Sequence, residues 1–227
     1  MSKIAIVILN WNGRALMEKF LPSVVAYSPQ ALASVIVADN GSTDDSLGML
    51  REKFPTVGLI ELGRNYGFAE GYNQALKHID AEYAVLLNSD VKVTPGWLDA
   101  PLGALESDPQ IVAVQPKIRA EREPERFEYA GAAGGYMDRY GYPFCRGRIF
   151  DRVESDRGQY DRPADLLWAT GACLFIRTEV YKASGGLDAG FFAHQEEIDL
   201  CWRLRSRGYR LVCTPESVVY HVGGATL

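Results

Sequence analysis

Short apolar runs alternate with stretches of helical spacing through the first half of the chain. "KIAIVIL" (3–9), "SVIVADNGS" (34–42), "VGLIEL" (57–62), "YAVLL" (83–87) and "IVAVQ" (111–115) are rich in β-branched residues and lack strict polar alternation. That pattern predicts strands buried on both faces. Between them, 14–27 carries Leu16, Phe20, Val24 and Tyr27 at three- and four-residue spacing, an amphipathic helix with Pro22 as a kink site. Further helices are predicted over 43–54, with Asp44 and Asp45 in the first turn where the helix dipole favours them, over 68–79, and over 95–106, opened by Pro95. Alternation of this kind implies an α/β domain with a mostly parallel central sheet, right-handed crossovers and helices on both faces. Ligands of such sheets sit beyond the carboxyl ends of the strands. Asn10, Asp39 and Asp90 stand at those ends.

The rhythm changes after residue 117. Residues 119–164 are rich in Arg and Glu, then in Gly and aromatic residues, and read as a long irregular surface loop. Loops of that length usually serve a site, so this one is a candidate acceptor-facing segment. Regular patterning returns in "LLWATGACLFIR" (166–177) and in "TEVYKASGG", a short helix ended by Gly185 and Gly186. A helix is predicted over 196–208, with Ile198, Trp202 and Leu204 or Arg205 on one side and Gly208 as its stop. "RLVCTPESVVYHVGG" closes the chain. Without repeats or low-complexity tracts, residues 1–227 read as a single domain with a first half to about 117 and a second from 118.

Charge narrows the function. The net charge is −5, which disfavours a nucleic-acid surface. An acidic protein that binds an anionic ligand needs a metal ion or a local N–H pocket. The four cysteines, Cys145, Cys173, Cys201 and Cys213, lack CxxC spacing, so neither zinc nor disulfides are indicated; the last three sit in apolar runs and read as buried thiols. The N-terminal apolar run is only strand-length and no stretch approaches the ~20 residues of a membrane span, so a cytoplasmic location is expected. "NWNGRA" and "GRNYGFAEG" do not fit GxGxxG, and no GxxxxGK[ST] loop occurs, so nicotinamide and P-loop chemistry are disfavoured.

Asp39 and Asp90 each follow a buried run and would be costly to desolvate alone. A single strand-terminal Asp can cap a helix. Two on one edge suggest a ligand, and Asp90 suits a divalent ion bridging to a diphosphate. In "HQEEIDLCWR" Glu196 and Asp199 share a helix face and Glu197 points elsewhere; such acids also favour a helix N-terminus without further purpose. His221 ends an apolar strand, where imidazole is either a hydrogen-bonded structural group or a ligand that could share an ion with Asp90.

Together the motifs "VILNWNG", "IVADNGSTDDS", "NYGFAEGYNQAL", "LLNSDV", "TGACLFIRTEVYKASGGLDAGFFAHQEEIDLCWRLRSRGY" and "HVGGAT" resemble, in order and almost end to end, the family 2 glycosyltransferases of GT-A fold, in their bacterial rhamnosyltransferase-like branch. The resemblance implies a GT-A (Rossmann-like) sheet with a smaller C-terminal acceptor-side portion: 1–117 binds the nucleotide-sugar, 118–227 binds the acceptor and carries catalysis. Asp39 would meet the base, and Asn10 and Asn12 the ribose. Asn65, Gly71, Asn88 and Asp90 would complete the donor site. "NSDV" is similar to the family's DXD motif, with Asn88 replacing its first Asp, so Asp90 and His221 would hold Mg²⁺ or Mn²⁺. Glu197 stands where the family's general base sits, with Glu196 as the alternative.

The implied activity is inverting, metal-dependent transfer of the hexosyltransferase type. The donor would be a UDP, dTDP or GDP sugar and the acceptor a glycan or lipid-linked hydroxyl in surface polysaccharide synthesis. A non-catalytic nucleotide-sugar-binding module is the alternative. A nucleotidyltransferase would need a Gly-rich basic loop that "NWNGRA" does not provide. The chain stops at "HVGGATL", where relatives continue, so a C-terminal extension giving peripheral attachment at the inner face of the membrane is expected.

Overall fold

The computed structural model describes residues 2–191 and 194–223. Residues 224–226 of the "HVGGAT" motif and residues 192 and 193 of the "FFAHQEE" stretch lie outside them. β1 (Ile4–Asn10), α1 (Arg14–Ala26), β2 (Ala33–Asp39), α2 (Ser46–Lys53), β3 (Gly58–Glu61), α3 (Phe68–Lys77) and β4 (Tyr83–Leu87) alternate as the apolar runs predict. Their strands pair in parallel in the order β3-β2-β1-β4. Ile4, Ile6 and Ile8 of β1 pack in one cluster with Met17, Leu21 and Val24 of α1, whereas Ala5 and Val7 lie in the other with Tyr72, Ala75 and Leu76 of α3. Each large apolar side chain so buried contributes about 1.5–3 kcal/mol.

Beyond β4 come β5 (Val91–Val93), α4 (Asp99–Ser107) and β6 (Ile111–Ala120). A small antiparallel sheet follows, built from β7 (Gly135–Met137), β8 (Pro143–Cys145), β9 (Arg148–Ile149) and β10 (Arg152–Val153). The chain then returns to the main sheet through β11 (Ala164–Leu166) and β12 (Cys173–Arg177). α5 (Thr178–Ala183), α6 (Glu196–Ser206) and β13 (Arg210–His221) complete it. The main sheet continues β4-β12-β6-β13-β11, with β5 on the far end of β13. β12 runs antiparallel to both β4 and β6, and β13 parallel to β6. The sheet is thus parallel where strands and helices alternate and mixed beyond β4.

Several boundaries differ from the sequence reading, each for a local reason. The buried stripe of α1 is Met17, Phe20, Leu21 and Val24, while Tyr27 is exposed past its end. Asp44 and Asp45 precede α2 rather than fill its first turn, because Asp44 accepts the Ser46 and Arg14 backbone N–H groups at 3.0 and 3.1 Å. α4 starts at Asp99, not Pro95: buried Trp97, edge-on to Phe175 at 5.4 Å, ties residues 94–98 into a turn after β5. α6 buries Leu200, Cys201 and Leu204 and leaves Trp202 exposed. All four cysteines are free and buried.

The largest difference is 119–164, which is folded rather than an irregular loop. Its hairpin strands are only two or three residues long, too short for alternation to show. The segment is fastened to β6 by a buried charge network. Lys117 Nζ donates to Asp156 at 2.9 Å and also to Asp161, and Arg119 Nε donates to Asp156 at 2.8 Å. The side chains of Asp156 and Lys117 are buried. Burial alone would raise the Asp156 carboxyl, but Lys117, the Gly158 N–H and Arg119 hold it below the ordinary carboxylate range. Asp156→Ala removes the carboxylate shared by Lys117 and Arg119 and leaves Lys117 only the exposed Asp161; it is expected to cost about 1.5–3 kcal/mol, read as a fall in urea midpoint at unchanged m-value.

Candidate active site

Asn10 and Asp39 end neighbouring parallel strands and face each other directly. Asn10 Nδ2 donates to Asp39 Oδ1 (3.2 Å) and to Ser42 Oγ (3.1 Å), and Asp39 Oδ2 accepts the Ser42 N–H (3.0 Å). Asn12, at φ 51°, accepts the Thr43 and Asp44 N–H groups on Oδ1 at 2.7 and 3.2 Å. Asn40, which the sequence reading did not single out, is the hinge of the next turn. Its Nδ2 donates to Asn65 Oδ1 and Gly67 O, both at 3.0 Å, and its Oδ1 accepts the Tyr66 N–H at 2.9 Å. Gly71 is a packing requirement: a Cβ there would lie 2.9 Å from Leu9 Cδ2 and 3.2 Å from Asn40 Nδ2. Asn10, Asn12, Asp39, Asn65 and Gly71 therefore converge on one rim. Their side chains mostly shape its backbone turns, and the exposed indole of Trp11 stands beside them.

The second cluster lies at the same level of the sheet. Ile8 of β1 faces Leu87 of β4, so the residues just past both strands share one edge. With strands spaced ~4.8 Å apart, about 10 Å separates the β2 end carrying Asp39 from the turn carrying Asp90. Asn88 donates its backbone N–H to Ala172 O (3.0 Å) and opens the turn that places Asp90. β5 then folds back antiparallel on β13, with His221 opposite Val91. This three-residue strand is what brings positions 90 and 221 together. His221 Nε2 lies 3.1 Å from Asp90 Oδ1, and Asn88 Nδ2 lies 3.4 Å from the same nitrogen.

Asp90 is 0% exposed, and neither oxygen has an aligned hydrogen-bond donor. On the far side of the ring, Nδ1 lies 3.3 Å from Glu128 Oε1. Burial disfavours a charged imidazole, but Asp90 and Glu128 outweigh it and lift His221 to about 9. A ring nitrogen and a carboxylate oxygen at this distance need positive charge between them, whether a proton or a cation. Among the described residues no three His, Cys, Asp or Glu side chains form a closed metal cage. One carboxylate and one imidazole fit an ion that completes its shell with substrate oxygens. Glu128, unmarked in sequence, is placed to orient the ring through its second nitrogen.

Glu196 and Glu197 open α6. The two residues before them, His194 and Gln195, both have left-handed backbones, φ 70° and 78°. Consecutive strained non-Gly residues are held only where surrounding structure fixes them. Glu197 faces the 170–172 turn, within van der Waals reach of a Cβ built on Gly171, and Ala172 of that turn accepts the Asn88 N–H. Thr170 is fixed in turn by Gln115, which accepts its N–H at 2.9 Å. Glu197 Oε2 and Glu196 Oε2 are both buried without a partner. Burial first, and then the charge of Glu196, pushes Glu197 up to about 7; burial also raises Glu196. Asp199 is separate, ion-paired to Arg203 at 2.7 Å. A cavity of about 370 Å³ between α3 and α6, lined by Asn73, Leu187 and Arg203, shares neither Asp39 nor Asp90.

The mixed α/β sheet with its helices has the GT-A fold, as its likeness to solved structures shows. Solved structures with this fold include GalNAc-T7 with UDP, GalNAc and Mn²⁺ (TM-score 0.77, 16% identity, 97% of this chain and 44% of that one). The mannosyltransferase PcManGT of Pyrobaculum calidifontis with GDP-Man and Mn²⁺ is another (TM-score 0.70, 17% identity, 99% and 58%). The chain belongs to glycosyl transferase family 2, whose profile matches residues 5–184. Among curated relatives, the N-acetylglucosaminyl-diphospho-decaprenol L-rhamnosyltransferase of Mycobacterium tuberculosis is 28% identical over 96% of this chain and 75% of its own length. The O-antigen biosynthesis protein RfbC of Myxococcus xanthus is 27% identical over 96% of this chain and 17% of its own. Glu196, Glu197 and His221 lie beyond the matched family segment.

Proposed function

We propose that this protein is an inverting glycosyltransferase that moves a sugar from a UDP, dTDP or GDP sugar to a hydroxyl of a glycan or lipid-linked acceptor in surface polysaccharide synthesis. The observation that carries this is Asp90: a fully buried carboxylate whose charged neighbour is the His221 imidazole 3.1 Å away, at the strand end next to the Asn10–Asp39 rim. Residues 1–117 hold the donor and 118–227 the acceptor and the base. The nucleoside would lie along the Asn10–Asn12–Asp39 turns, where Asn65 and Gly71 keep the backbone in shape, with its diphosphate toward Asn88 and Asp90. Asp90 and His221 would hold Mg²⁺ or Mn²⁺, whose chemistry there is Lewis-acid stabilisation of the departing diphosphate. Glu197 takes the proton of the acceptor hydroxyl. A carboxyl titrating near 7 is matched to that task, because about half of it is ionised at neutral pH and the ionised form is basic enough to accept. Glu196 raises that basicity by its charge. The M. tuberculosis relative named for a decaprenol-linked sugar supports a lipid-linked acceptor, and with it work at the cytoplasmic face of a membrane.

A panel of UDP, dTDP and GDP sugars tests this, read by thermal shift and by released nucleoside diphosphate. One donor class is expected to raise Tm and to be turned over with Mn²⁺, and excess chelator to stop turnover. Donor affinity without release under any condition would identify a binding module instead.

A further inference from the structure

The small sheet that replaces the expected surface loop ends in an apolar tip. β7 leads into the 138–142 loop and β8 returns; β9 leads into Phe150 and Asp151 and β10 returns. Both loops therefore leave the same end of the sheet. They carry Tyr140, Tyr142, Ile149 and Phe150, which are 71%, 63%, 56% and 72% exposed. At the opposite end Gly135 and Trp168 exchange backbone hydrogen bonds, and the Trp168 indole donates to Tyr136 O at 2.7 Å. The sheet is fastened at its base and bare at its tip.

Folding alone does not ask for this arrangement. Phe150 has φ 52°, a left-handed backbone that strains a bulky aromatic residue. Arg148 holds that conformation by donating to Phe150 O at 3.3 Å. Asp138 fixes the other loop by accepting the Tyr140 and Tyr142 N–H groups at 2.8 and 3.0 Å. The fold thus keeps two loops in shape to present side chains that touch little of the protein.

We propose that this tip docks on a lipid bilayer, with Phe150 and Ile149 entering the boundary of headgroups and acyl chains. The composition fits that boundary: Tyr140 and Tyr142 have apolar rings with polar ends, and Arg139, 4.6 Å above the Tyr140 ring, and Arg152 flank them. The area fits as well. Large aromatic side chains bury 150–250 Å² each, so the tip offers roughly 400–600 Å², below the ~800 Å² per partner of a stable protein interface. Asp138 and Asp151 offset the two arginines, and the chain carries −5 overall, so apolar insertion rather than charge attraction holds the contact. Five residues of strand and loop separate the base from Tyr140, which would keep the Glu128–Ala132 loop within about 20 Å of the lipid. The docking is independent of transfer chemistry and needs no donor.

Co-sedimentation of the whole chain with phosphatidylcholine vesicles, with and without phosphatidylglycerol, tests this. Wild type is expected to bind both compositions, with affinity changing less than about threefold between 0.1 and 1 M NaCl. Phe150→Gly is expected to lower the partition coefficient by about tenfold, and Tyr140→Ser to lower it further. Glycine accepts φ 52° without strain, so Phe150→Gly keeps or raises Tm, which separates lost docking from lost folding. Wild type remaining in the supernatant with both vesicles would overturn the proposal, as would Phe150→Gly sedimenting like wild type. Binding abolished by salt, or a concentration-dependent dimer that Phe150→Gly dissolves, would also overturn it, the latter by assigning the tip to a second copy of the chain.

Discussion

Glu197→Gln is expected to lower kcat by about 10²–10⁴-fold while donor affinity stays within about twofold of wild type. The amide keeps the shape of the side chain and removes its ability to take a proton. Its effect on stability has the opposite sign. Burial and Glu196 raise Glu197 from the ordinary 4.5 to about 7, so the fold favours the protonated form. Above pH 7 the native protein carries an ionised buried carboxylate at a cost that the unfolded chain does not bear. The glutamine variant should therefore be as stable as wild type at pH 8, or more so. In the wild type, kcat/KM should fall tenfold per pH unit below about 7 as Glu197 protonates, and level off above it. Full turnover in Glu197→Gln would move the role to Glu196, the other unpartnered carboxylate at this helix start.

Asp90→Asn is expected to cost roughly 10³-fold or more in turnover, because it removes the charged member of the proposed two-residue ion site, which would be worth several kcal/mol to a departing diphosphate. Mn²⁺ affinity, measured by calorimetry in the presence of nucleoside diphosphate, should fall with it. Glu128→Gln is the graded control. Glu128 meets His221 at its far nitrogen, 3.3 Å away, and accepts the Ala130 N–H on its other oxygen, which the glutamine amide oxygen can still do, so Glu128→Gln is expected to weaken the metal by about 10–100-fold and leave donor binding otherwise intact. Equal Mn²⁺ affinity in wild type and Asp90→Asn would remove the ion from this pair.

Much of this was legible in the sequence, and each exception has a local cause. β1, β2 and β4 are five to seven residues long and buried on both faces, so their apolar runs and the polar ends Asn10, Asp39 and Asp90 stand out. β5 is three residues long and hides inside what reads as the approach to a helix, yet it alone brings His221 to Asp90. Glu128 sits in a stretch so rich in Arg and Glu that no local pattern distinguishes it. Asn40 has no signal in the sequence beyond an Asn in a turn cluster, and its side chain serves the turn. The pair at 196 and 197 was visible as charge. Its separation from Asp199 was not, because that depends on Arg203 pairing with Asp199 one turn on.

The proposed transfer requires that Asp90 and His221 share a divalent ion with the donor's diphosphate. Anomalous diffraction from a crystal grown with Mn²⁺ and a nucleoside diphosphate tests this most directly. One anomalous peak within bonding distance of Asp90 and His221 Nε2, touching diphosphate oxygens, is the predicted result. A peak elsewhere, or a diphosphate bound away from the Asn10–Asp39 rim, would contradict it.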